Sequence, residues 1–276
     1  LQLIVLLFFV RKHFKPILSI KIKIDEKIKF FFSKLFPSIF SSGVTQINIL
    51  VGTIIASFQA GAVSYLYYAD RVYQINLAVA GIAVGTVMLP ELSKYVKNNN
   101  LEQINNLQNR ALELCLFLSV PAAVALVLAS EQIITSLFGY GSFNNESVTN
   151  TAAALTYFAF GVPAFSILKI FSNYFFARND TKTPFYLSIV SVILNVLISV
   201  SFFNKIGFII IPIATTISSW FNTLLLLFYL LSNNYFSFYK NFMIKFLNIL
   251  CVSSFSSFIF YQLIQKFSEY LMYESE

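Results

Sequence analysis

The apolar residues of this chain gather into runs of about twenty, the length an α-helix needs to cross a hydrocarbon layer about 30 Å thick. Seven runs are read over residues 38 to 60, 64 to 90, 109 to 130, 149 to 170, 185 to 203, 207 to 231 and 243 to 264, and residues 1 to 10 read as the tail of an eighth. Inside lipid every backbone N–H and C=O needs a partner within the protein, so such runs have to be helices. The expected fold class is an all-α integral membrane protein with about seven transmembrane helices plus a partial N-terminal one.

Charge supports that choice. Of 276 residues 57% are hydrophobic and 11% charged, against about 25% charged in an ordinary soluble domain. The net charge of +7 is scattered between the apolar runs, which argues against a nucleic-acid partner. Cys115 and Cys251 stand far apart within apolar runs, so neither a disulfide framework nor a metal spacing is expected. His13 is the single histidine, and no phosphate-binding glycine loop occurs, so no enzyme, metal site or cofactor is expected.

Topology follows from the basic residues. The loop from 11 to 37 holds eight of them; 91 to 110 holds Lys94, Lys97 and Arg110; 168 to 184 holds Lys169, Arg178 and Lys182; 232 to 245 holds Lys240 and Lys245. With seven spans these loops share one side, which gathers sixteen of the nineteen basic residues and is read as cytoplasmic. The other side has Lys205 and Lys266, and Arg71 lies within a span. Segment 11 to 37 is read as a basic amphipathic helix from about Asp25, lying on anionic membrane lipids, with His13 among its headgroup contacts. EQIITSLFGYGSFNNES is read as a short surface helix followed by a glycine-rich turn on the opposite side.

The charged pair Asp70 and Arg71 stands inside the second run. A charge there costs a few kcal/mol on insertion scales and normally faces a partner or a wet cavity. Tyr67 and Gln74, one helical turn to either side, place Tyr67, Arg71 and Gln74 on one polar stripe, while adjacent Asp70 points about 100° away. A guanidinium there suits bidentate binding of phosphate; snorkelling or neutralisation between helices is the alternative. Gln46 and Asn48 on the first run are further candidates for a binding cavity, as are Asn195 and Asn222, with helix-to-helix hydrogen bonding as the alternative. Gly81 and Gly85 are spaced for close helix approach.

Four stretches together resemble the MurJ/MviN family of lipid II flippases, within the multidrug, oligosaccharidyl-lipid and polysaccharide exporter superfamily: GVTQINILVGTIIASF, SYLYYADRVYQINLAVAGIAVGTVMLPELSK, SLFGYGSF and FFARNDTKTP. The resemblance implies two lobes of six helices and a terminal pair. It places residues 38–231 as the second lobe and 232–276 as a loop, one further helix and an external end. It implies that the chain, which opens without Met on LQLIVLLFFVRKHFK, is a C-terminal fragment whose partner is the missing N-terminal lobe of the same protein. The family's cavity arginine matches Arg71; its nearby acidic position is Gln74 here, a departure that removes a charge. The implied function is movement of lipid II across the bacterial inner membrane by alternating access for cell wall synthesis. A related polyprenyl-linked oligosaccharide or drug exporter, or a nonfunctional split-gene remnant, are the alternatives.

Overall fold

The computed structural model describes Asp25, Glu26, Ile28, Lys29 and residues 46–271; the tail 1 to 10, His13 and most of the amphipathic segment lie outside them. The chain divides into two units, Leu1–Phe36 and Pro37–Glu276. In the first, the Asp25 carboxylate accepts the Ile28 amide at 2.9 Å, capping a helical turn where the amphipathic pattern begins.

All regular structure among the described residues of the second unit is helical: α1 (Gln46–Ala56), α2 (Ala62–Lys97), α3 (Leu101–Leu128), α4 (Ser130–Phe138), α5 (Asn145–Ala159), α6 (Val162–Phe176), α7 (Lys182–Ile206), α8 (Ile210–Ser232) and α9 (Phe242–Leu271). Among the described residues four stretches are long and apolar enough to cross a membrane, or five if the bent pair α5 and α6 is one span. α1 is too short to cross by itself, and the start of the run that holds it lies outside the described residues.

The stretch Lys182–Ser232 is a near-continuous helical run of 51 residues that folds as a hairpin. The Asn195 amide donates to Thr215 Oγ1 at 3.2 Å and the Asn222 amide to Ser188 Oγ at 3.4 Å. Both pairs are symmetric about residue 205, the signature of two antiparallel helices. The reversal uses a 3₁₀ turn, Gly207–Ile209, entered through Gly207 at φ 75° and ψ −156°, a conformation only glycine adopts freely. The Gln59 carboxamide oxygen accepts the Phe208 amide at 2.8 Å and fastens this turn to the one before α2.

α5 and α6 replace the single run expected over 149 to 170, and they meet at 45°. Pro163 in the first turn of α6 cannot donate to the preceding turn, so the ladder breaks there. α8 supplies donors along the bend: Thr216, Trp220 and Thr223, on one face, donate to the carbonyls of Tyr157, Phe160 and Ala164 at 2.8, 3.1 and 3.1 Å. A broken helix is tolerated in lipid when a neighbour re-satisfies it in this way.

α2 runs unbroken through both glycines, with a π-helical segment at Ala78–Ala83. A Cβ on Gly81 would stand 3.1 Å from Ser166 Cα of α6, so the spacing reports backbone contact between these helices. Two apolar cores result. One joins Ile55, Ala69, Leu155 and Phe208 near the Gly207 turn; the other joins Leu92, Leu112, Cys115, Tyr174, Phe175 and Leu230 towards the opposite ends. At the second end the Asn105 and Asn109 side chains bond the 237–239 backbone. Arg178 Nη2 donates to the Tyr235 carbonyl at 2.7 Å. The connections around 177–181 and 233–241 therefore meet beside the start of α3. α9 lies along α3, pinned by Lys245 to Glu113 at 2.9 Å.

Candidate functional site

A cavity of about 270 Å³ opens between α1, α2, α5, α7 and α8. From α2 it receives Val63, Leu66, Tyr67, Asp70 and Tyr73, a stripe at three- and four-residue spacing that marks one helical face. α1 contributes Asn48 and Thr53, α7 contributes Asn195, and α8 contributes Thr215. Asn195 is held from both sides, donating to Thr215 and accepting the Ser199 hydroxyl at 3.1 Å. Among the described residues Asp70 is the one carboxylate in this lining. Tyr73 lies beside it, and Gln74 donates its amide to the Asp70 carboxylate, fixing that side chain from the next turn. Among the described residues no three His, Cys, Asp or Glu side chains gather in a metal-binding group.

Arg71 stands apart from this cavity. Its side chain is exposed and its guanidinium lies 4.7 Å from the Tyr67 ring centroid, a cation–π contact. Tyr67, itself 53% exposed, borders the cavity on one side and carries the arginine on the other. Residues 70 and 71 thus divide: the carboxylate turns inward, the guanidinium outward.

Of the residues singled out from sequence, Asn48, Tyr67 and Asp70 come together in the cavity, and Asn195 joins them. Gln74 bonds Asp70 rather than extending the stripe of Arg71. Gln46 is exposed on α1 outside the lining, and Asn222 bridges to Ser188 elsewhere. Thr53, Tyr73 and Thr215 were not singled out. Tyr73 sits one turn beyond Asp70, a spacing that could have revealed it. Thr53 donates to its own helix at Ile49, an ordinary habit of helical threonines that carries no signal.

The aromatic stretches meet beside this region: Tyr68 packs on Phe138 and Phe143 at 4.8 and 5.2 Å between centroids, which joins SYLYYADR to SLFGYGSF.

A family model described as lipid II flippase MurJ matches residues 1–276. A probable lipid II flippase MurJ of Rhizobium meliloti is 45% identical over 190 residues, covering 69% of this chain and 36% of that protein. A solved structure of lipid II flippase MurJ in an inward closed conformation superposes with a TM-score of 0.73 at 31% identity, covering 94% of this chain and 53% of that one. An outward-facing multidrug resistance transporter of the MATE family shares the fold, with a TM-score of 0.60 at 18% identity over 81% of this chain and 51% of the other. The chain spans about a third of the length of the curated relatives it matches.

Proposed function

The chain belongs to the lipid II flippase MurJ family, and from that premise we propose that it forms the second lobe of a carrier that moves lipid II between membrane faces without covalent chemistry. It is a multi-pass protein of the bacterial inner membrane. Residues 46–231 belong to the lobe, and the described part of 232–276 supplies a loop and a further helix.

The observation that carries this reading is the outward guanidinium of Arg71. A cation exposed at the surface of a membrane lobe and held on an aromatic ring is placed to meet an anionic group lying against that surface. The diphosphate of lipid II is such a group, with Arg71 its ligand and Tyr67 the platform beneath. Asp70, Gln74, Asn48 and Gln46 act behind or beside that face, with Gln74 donating to the Asp70 carboxylate. α9, most of whose described side chains are exposed, offers an apolar flank to the polyprenyl tail. Alternating access by rocking lobes provides the movement.

The test is rescue of cells depleted of their lipid II flippase by the protein carrying this chain. Wild type restores growth and Arg71→Ala does not at equal membrane abundance. Failure of wild type, or rescue by Arg71→Ala, overturns the reading.

A further inference from the structure

At the basic end a second cavity, of about 370 Å³, is walled by the first two turns of α3, by Arg178 and by residues 234–237. It is separate from the Asp70 cavity and from Arg71, and nothing in the transport reading uses it.

Three features of its wall converge. Arg178 is half buried. Its guanidinium lies 4.7 Å from the Tyr235 ring centroid, with Nη1 donating to the Tyr174 carbonyl at 2.8 Å and Nη2 to the Tyr235 carbonyl at 2.7 Å. These partners are neutral; among the described residues the ion pair is Lys245 with Glu113, elsewhere. A cation withdrawn from water ordinarily finds an opposite charge. Gln108 lines the same cavity, is 0% exposed, and has no hydrogen-bond partner for Nε2 or Oε1 among the described residues. Buried amides are almost always bonded, so this one is a donor and an acceptor open to a partner beyond the described residues. The positive end of the 28-residue helix α3 opens on the same space, a disposition that favours anions. Leu101, Ile104 and Phe236 give the rest of the wall an apolar character.

We propose that this cavity binds a phosphate-bearing anion at the membrane surface, whether the headgroup of an anionic phospholipid or a soluble phosphate. Arg178 supplies the charge and Gln108 the deep hydrogen bonds. Glu102, on the exposed rim, opposes the anion and tunes its affinity downward.

The experiment is calorimetric titration of the purified protein in neutral detergent with three probes: dihexanoyl phosphatidylglycerol, dihexanoyl phosphatidylcholine and inorganic phosphate. Gln108→Leu keeps the side-chain volume and the Tyr174 hydroxyl bond to the Gln108 main-chain carbonyl. It should weaken binding roughly tenfold, the worth of one hydrogen bond to a charged group. Glu102→Gln, at an exposed position, should tighten it several-fold. Binding of phosphatidylglycerol without inorganic phosphate identifies a lipid headgroup; binding of both identifies a soluble phosphate ligand. If neither anionic probe binds, or if both variants bind as wild type does, the proposal is wrong.

Discussion

Trp220 of α8 donates its indole Nε1 to the carbonyl of Phe160, 3.1 Å away, at the corner where α5 turns into α6. With Thr216 and Thr223 it forms a ladder at four- and three-residue steps along α8, and the three acceptors advance along the bent pair in the same order. The corner is thus built by a neighbouring helix as much as by Pro163. Trp220→Phe keeps the ring's apolar body and removes the donor, and with Thr216→Val it leaves two carbonyls unpaired. The double variant should lose about 1–3 kcal/mol of stability, read as a lower thermal unfolding midpoint in detergent. An unchanged midpoint would mean that the corner does not depend on α8.

The hairpin of α7 and α8 predicts a pairing rule. With Cys115 and Cys251 replaced, Ser188→Cys with Asn222→Cys, and Asn195→Cys with Thr215→Cys, should each be joined by a short bis-thiol reagent, because each pair shares a hydrogen bond across the hairpin. Ser188→Cys with Thr215→Cys, about seven residues or 10 Å out of register along the helix, should not be joined. Linking of the mismatched pair and not of the matched ones would refute the register.

Asn109 clasps the loop before α9. Its amide donates to the Ser237 carbonyl at 2.8 Å and its oxygen accepts the Tyr239 amide at 3.1 Å, while fully buried itself. Asn109→Leu removes both and should raise hydrogen exchange at the Tyr239 amide by about tenfold or more, as expected for losing buried bonds worth about 1–3 kcal/mol. Exchange as slow as in wild type would place the clasp elsewhere.

Gly81→Leu should disturb the contact of α2 with α6, since even a Cβ meets Ser166 Cα at 3.1 Å. A larger side chain forces the helices apart at a cost of about 1–3 kcal/mol. A melting temperature equal to that of wild type would show that the two helices already part with ease.

How much of this was legible in the sequence varies with the physics. Hydropathy locates α2, α3 and the runs of α7 and α8 because lipid demands about twenty apolar residues, whereas the role of Gly207, the first residue of a run, in the reversal shows only in the fold. The corner at residue 160 was not legible: the run reads as one span, and the groups that permit the break are Thr216, Trp220 and Thr223, some sixty residues downstream. The polar start of α3 reads as loop, yet Asn105 and Asn109 make it helical in purpose, since their partners lie in the 237–239 segment. At the candidate site the 100° step between Asp70 and Arg71 is dictated by helix geometry. Which of the two turns inward is decided by the packing of α1, α7 and α8, and periodicity does not reach that.

The outward guanidinium of Arg71 is the central claim, and the most direct measurement is the rate of lipid II translocation in membranes holding equal amounts of the protein with Arg, Lys or Ala at position 71. Loss of a charge-assisted, bidentate contact should slow Arg71→Ala by tenfold or more, taking about 1.5–3 kcal/mol for such a bond. Arg71→Lys should fall between, because the charge remains and the planar fork is lost. Equal rates for arginine and alanine would contradict the account and leave Arg71 a surface charge resting on Tyr67.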